Sequence, residues 1–251
     1  MKQLLSIVVM IISFNANSEL LDRGRRYFTL RLNYDMECTS FDCYYNQRTI
    51  KRDSNKCIVN FETIQQFPQH FKSNVEKIKG RMQFVSFIPL PYKYDLVNLE
   101  NGGVKVRVKI HFRKFQDFSE KQRQFFLEYL DLAAKYWQDN HPFEFPVEFE
   151  FLKVDSKKEA HFSVRVLDRK TRGPYFMRWG IDWSHYMMAH EIGHMMGLDD
   201  EYKQVTNYGP DAKYCDQSSL MCNQTRRSKA RPKLYHYYLI LRRGLCHLAD
   251  K

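Results

Sequence analysis

His190-Glu191-Ile192-Gly193-His194 opens the stretch HEIGHMMGLDDEY (190–202) and places two imidazoles four residues apart. On a helix, positions i and i+4 share a face, so His190 and His194 can aim at one point. Neutral imidazole nitrogens at that spacing suit Zn²⁺, which takes nitrogen, oxygen or sulfur ligands in a tetrahedron. Glu191 lies one residue on, about 100° around the helix axis, beside such an ion and not on it. A carboxylate there can accept a proton from water and later hand it to a leaving amine. Gly197 follows three residues after His194, where a left-handed backbone lets a helix end and the chain turn back. Three acids come next, Asp199, Asp200 and Glu201, and any of them offers an oxygen to a third ligand position.

Working upstream, Ser184 stands as an N-cap for that helix. Phe162, Val164 and Val166 mark a strand, and a short extended piece is expected near 175–182. Phe143, Phe145, Val147, Phe149 and Phe151 alternate with outward Glu144, Glu148 and Glu150. Ser119 with Gln122 forms a capping box, and Phe126, Leu130, Ala133 and Trp137 recur at helical spacing until Pro142. Val104, Val106, Val108, Ile110 and Phe112 alternate with Lys105, Arg107, Lys109, His111 and Arg113, a half-buried strand with a basic outer face. Asn101-Gly102-Gly103 is a boundary turn. The order strand, helix, strand, strand, helix predicts an α+β fold, a twisted mixed sheet with one backing helix and one site-bearing helix. Downstream, Pro232 opens a last helix in which Leu234, Tyr238 and Leu241 share a face, and Gly244 is expected to close it.

The pattern His190, Glu191, His194, Gly197, Asp200 resembles that of the metzincin zinc peptidases, H-E-x-x-H-x-x-G-x-x-H/D, with Asp at the third place as in the snapalysin-type minority. The resemblance implies Zn²⁺ held by His190, His194 and Asp200, with Glu191 as general base. It also implies a Met-turn beneath the ligands, for which Met221 in SSLMCN is placed suitably, and a small C-terminal subdomain ending in a helix. It covers residues 103 to 251. In some of these enzymes a Tyr two positions after the turn methionine assists the oxyanion; Asn223 stands there in this chain, and Tyr202 or Tyr214 are substitutes.

Outside that region the chain speaks of export. Lys2, the apolar run Leu4–Phe14 and Ala16-Asn17-Ser18 have the layout of a secretory signal peptide over residues 1–18. No later stretch reaches 18 consecutive apolar residues, so no transmembrane segment is expected after cleavage. Residues 19–102 form an N-terminal region, β-rich at Phe28, Leu30 and Leu32, broken at Pro89-Leu90-Pro91-Tyr92, and holding Cys38, Cys43 and Cys57. With Cys215, Cys222 and Cys246 the count is six, up to three disulfides in an exported chain, Cys215–Cys222 being the first expected because it staples a short loop. Hydrophobic residues at 43% and charged residues at 27% exclude wholesale disorder, collagen and a coiled-coil rod. Lys plus Arg exceed Asp plus Glu by 40 to 29, and a formal charge of +11 favours contact with anionic surfaces. No nucleic-acid-binding motif accompanies that charge.

These observations lead to an expectation of a secreted or periplasmic zinc endopeptidase acting on protein or peptide substrates, with residues 172–182 as a candidate edge for an extended substrate. Two other readings stand beside it: a metzincin scaffold that binds an anionic surface, and a zinc amidase acting on cell-wall peptides.

Overall fold

The computed structural model describes residues 41–71, 74–84, 88–168, 177–201, 218–222 and 230–249. The expected leader, the strand at Phe28–Leu32, Tyr202, Tyr214, Cys215, Asn223 and residues 172–176 of the candidate edge lie outside them. The described elements run α1 (Phe41–Arg52), α2 (Phe61–Gln65), α3 (Phe67–His70), β1 (Val75–Phe84), β2 (Ile88–Asn98), β3 (Val104–Arg113), α4 (Glu120–Gln138), β4 (Val147–Lys153), β5 (Phe162–Leu167), β6 (Arg178–Gly180), α5 (His185–Met195) and α6 (Leu234–Ala249).

Strict alternation makes β3 the hub of a six-stranded mixed sheet. Its even-numbered residues are buried and its odd-numbered ones face out. It pairs antiparallel with β2 (Asp95↔Arg107 to Asn98↔Val104) and parallel with both β4 (Val104↔Val147) and β5 (Ile110↔Phe162). β1 closes on β2 as an antiparallel hairpin, and β6 adds parallel to β5. The turn expected at residues 101–103 carries Gly102 at φ +78° between β2 and β3, and the sheet runs continuously across it.

α4 starts as its sequence demands. The Ser119 hydroxyl accepts from the Gln122 N–H while the Gln122 side chain accepts from the Ser119 N–H. Its buried stripe of Phe126, Leu130, Ala133, Ala134 and Trp137 packs against β4 and α5. Trp137 is fully buried and donates from Nε1 to the Ala189 carbonyl at 3.0 Å, fixing α4 to the middle of α5. α6 lies on α1, α2, α3 and β1, and Tyr94 Oη donates to the Ile240 carbonyl at 2.7 Å.

Four local expectations are corrected. Pro89 and Pro91 do not break the chain but sit inside β2, where β3 no longer pairs with it and a missing N–H leaves no ladder bond unmade. β4 begins at Val147, because Pro142 and Pro146 deny a ladder to the residues between, and Phe143 and Phe145 stack on each other instead. α6 passes through Gly244: a Cβ there would lie 2.3 Å from Leu96 Cδ1, so glycine serves close packing and not termination. Ser184 occupies the N-cap of α5, yet its side chain makes no capping bond.

Cys57 and Cys246 form a disulfide that joins the segment after α1 to the end of α6, across 189 residues of sequence. Cys222 is disulfide-bonded as well, and Cys215, its expected partner, lies outside the described residues. Closing so long a loop constrains the unfolded chain strongly. Replacing Cys57 and Cys246 together by alanine is expected to cost about 2–5 kcal/mol in denaturant unfolding; a loss below about 1 kcal/mol would show that packing alone holds these ends.

Candidate metal centre

α5 is apolar on nearly every side, and its whole second half is buried: Met188, Ala189, His190, Glu191, Ile192, Gly193, His194 and Met195. Such a helix can carry two histidines and a glutamate inside only if each has something to answer it. The turn that follows supplies part of that answer. Gly197 has φ +87°, its N–H donates to the His194 carbonyl at 2.9 Å, and the Leu198 N–H donates to the Gly193 carbonyl at 2.9 Å. This is a Schellman ending, and it sends the chain straight back towards the helix. The open carbonyls of Met196 and Gly197 accept from the Arg243 guanidinium, with Nη2 at 2.7 Å from the latter. A cation at a helix C-terminus also complements the helix dipole.

The returning segment sends its three acids in three directions. Asp199 pairs with Arg52 at 2.7 Å, and its backbone N–H and C=O both bond the Tyr45 hydroxyl at 3.1 Å. Glu201 accepts from Tyr235 Oη at 3.0 Å and from His236 Nε2 at 2.7 Å. His236 Nδ1 meanwhile accepts from the Lys233 N–H, which leaves the ring proton on Nε2. Asp200 alone faces the two imidazoles, its Oδ1 lying 3.2 Å from His190 Nε2 and 3.3 Å from His194 Nε2.

Each imidazole is set by the nitrogen that looks away. His190 Nδ1 donates to the Leu220 carbonyl and His194 Nδ1 donates to the Leu198 carbonyl, both at 2.9 Å. With Nδ1 committed to a carbonyl, each ring turns its Nε2 towards Asp200, and that Nε2 offers a lone pair whenever the ring is neutral. Neither carboxylate oxygen of Asp200 accepts a hydrogen bond among the described residues, although both are buried. Three lone-pair donors, all within 4.8 Å of one another, thus converge in the interior. That arrangement is repulsive until positive charge enters it, and a divalent cation satisfies all three donors at once. His190, His194 and Asp200 fit a metal ion.

Met221, expected beneath the ligands, is fully buried, and its sulfur stands 2.6 Å from the place a Cβ on Gly193 would take. Glycine between the two histidines is what lets the thioether press against the helix. The same turn presents the Leu220 carbonyl to His190 and the Met221 carbonyl to the Glu201 N–H. Glu191 is buried on the same helix; burial pushes its carboxyl up, Asp200 adds to that, and His190 and His194 oppose it.

Residues that shape the site without touching it escaped sequence reasoning. Asp53, after α1, accepts from Arg242 and from Arg243 Nε at 2.7 Å, and all three are buried. Burial would raise the Asp53 carboxyl, but the two guanidiniums outweigh it and hold it below the usual value. The Arg243 group also lies 4.1 Å from the centroid of Tyr92, whose hydroxyl donates to Asp53 at 2.7 Å. The signal was present as Arg242-Arg243 within the apolar run YYLILRRGLC, where two adjacent charges require a buried acid.

Two outcomes follow from this geometry. Gly197→Ala puts a Cβ 2.5 Å from Arg243 Nη1 at a positive φ, and is expected to cost roughly 1–3 kcal/mol in thermal or denaturant unfolding. The metal-free protein should also depend on pH in a defined sense. Burial disfavours a charged His194, but the Asp200 carboxylate outweighs it and raises the imidazole to about 10. That contribution is complete below pH ~6.5 and lost as pH climbs through about 10. Asp200 is lowered by the histidines against the effect of burial, so its contribution exists above pH ~4 and vanishes in stronger acid. A chelator-treated sample is therefore expected to melt highest between pH ~4 and ~6.5 and progressively lower towards pH ~10, with Asp200→Asn flattening the slope. A melting temperature constant across the alkaline range would contradict the coupling.

No family model, no curated protein and no solved structure matches this chain.

Proposed function

We propose that the protein is an exported zinc endopeptidase. The observation that carries this reading is the convergence of His190 Nε2, His194 Nε2 and a bare Asp200 carboxylate, with a second buried carboxylate, Glu191, on the same helix. The donor set is nitrogen-rich and free of sulfur, which favours zinc over the hard cations that prefer all-oxygen shells. Two of the three spacings match a tetrahedron: bonds of about 2.0–2.1 Å give edges of about 3.3–3.4 Å, against 3.2 and 3.3 Å between the carboxylate and the two imidazoles, with all three donor atoms within 4.8 Å of one another. Three protein ligands among the described residues is the number found in catalytic zinc sites, which keep a fourth position for water or substrate. The Cys57–Cys246 disulfide suits an oxidising compartment, and no helix among the described residues is long and apolar enough to cross a membrane.

Zn²⁺ held by His190, His194 and Asp200 would supply Lewis acidity to a peptide carbonyl and make a water beside it more acidic. The chain's own part is proton traffic and orientation. Glu191 accepts the proton of the attacking water as its oxygen bonds the scissile carbonyl carbon, and passes that proton to the departing amide nitrogen as the C–N bond breaks. Burial raises Glu191, which makes its carboxylate a stronger base than one in water. The Leu220 and Leu198 carbonyls hold the ligand tautomers, and the Arg243-capped turn holds Asp200 in place.

Cleavage of casein or of a fluorogenic peptide library by the zinc-loaded chain tests the reading. Glu191→Gln is expected to lower the rate by about 10²–10⁴-fold with the metal content unchanged. Equal rates for variant and wild type, or no hydrolysis by the loaded wild type, would contradict it. Among the three neighbouring acids, Asp200→Ala is expected to lose the metal, while Asp199→Ala and Glu201→Ala, in whatever fraction remains folded, keep it. Equal metal retention by all three would show that Asp200 is not the third ligand.

A further inference from the structure

The outer face of the sheet is divided in its charge. On β3 three basic residues are neutralised in place: Lys105 pairs with Glu148 at 3.2 Å, Arg107 pairs with Glu150, and Lys109 pairs with Asp95 at 2.8 Å. Lys79 and Lys93 in the β1–β2 hairpin have no such partner among the described residues. Lys79 and Lys93 are direct cross-strand partners, so two like charges stand opposite each other, an arrangement that destabilises a hairpin. Arg81, two residues on from Lys79, and Lys157, in the loop before β5, add to them. None of these four side chains makes an ion pair among the described residues. All four rim one pocket of about 610 Å³ between the hairpin and the start of β5, and its lining is mostly apolar, with Phe162 and Met177 contributing.

We propose that this pocket docks an acidic polypeptide segment, with an apolar side chain of the segment seated inside and flanking carboxylates paired with Lys79, Arg81, Lys93 and Lys157. Charge complementarity selects an anion, and the concave apolar lining selects among anions. A pocket this size has room for at least one large aliphatic or aromatic side chain. A sulfated glycan has no such group, and a headgroup layer meets only the rim. Self-repulsion between Lys79 and Lys93 persists in the folded chain because the same pair serves an anionic partner. The inference does not depend on the peptidase reading.

Fluorescence anisotropy with the full chain carrying Glu191→Gln reads binding separately from turnover. The probe is a fluorescein-labelled peptide with one phenylalanine between runs of glutamate. The glutamine version of the peptide, and the version with alanine for phenylalanine, are each expected to bind about tenfold or more weakly. K79E/K93E is expected to lose about tenfold or more in affinity for the acidic peptide. K79E alone places opposite charges across the hairpin and is expected to melt no lower than the parent, which separates lost binding from lost folding. Equal binding of the acidic and neutral peptides, or undiminished binding by K79E/K93E, would overturn the proposal. So would capture of heparin or of phosphatidylserine-containing vesicles through these lysines by a chain that ignores the peptide.

Discussion

The reversal of the chain at Gly197 is the constraint on which the site depends. A left-handed residue directly after α5 brings the backbone back along the helix it has just left, and only then can Asp200 look into the faces of His190 and His194. The reversal is held from outside. Arg243 in α6 binds the two carbonyls that the helix leaves open, Asp53 binds Arg243, and the disulfide from Cys57 to Cys246 ties the same two segments covalently. Arg52 and Tyr45 in α1 then anchor Asp199, so it cannot rotate into the place of Asp200. The segment before the sheet is therefore part of the machinery that shapes the centre.

Electrostatics explains why such reinforcement is worth having. A buried carboxylate with no hydrogen bond costs several kcal/mol, a large share of the roughly 5–15 kcal/mol by which domains are stable. Asp200 is in that position, facing the Nε2 atoms of two rings whose Nδ1 atoms are bonded to backbone carbonyls. The interior must then take up positive charge, either as protons on the imidazoles or as a cation shared by all three groups. Glu201 and Asp199 show the alternative, since each is answered by hydrogen bonds or an ion pair from its own surroundings. Of the three consecutive acids, Asp200 is the one with neither carboxylate oxygen hydrogen-bonded among the described residues.

Elements whose information is local were legible in the sequence. The alternation of residues 104–113, the capping box at Ser119 and the i, i+4 histidines each state a period or a bond within a few residues, and each reappears in the structure. The turn glycine and the buried methionine near the helix were legible for the same reason. What depended on distant partners was not. Nothing near Pro89 and Pro91 tells that β3 stops pairing before it reaches them, and nothing near Gly244 tells that Leu96 lies against it. The Cys57–Cys246 bond, the Asp53–Arg243 pair and the choice of Asp200 over its neighbours all join residues more than thirty positions apart or rest on pairs that are.

The most direct test of the account is X-ray absorption spectroscopy at the zinc edge on the full-length protein loaded with one equivalent of Zn²⁺. The predicted spectrum has a four-coordinate nitrogen and oxygen shell at about 2.0–2.1 Å, with outer-shell scattering from two imidazoles that disappears in the His190→Ala, His194→Ala double variant. A sulfur shell at about 2.3 Å, or a spectrum unchanged by removal of both histidines, would place the ion elsewhere and contradict the account.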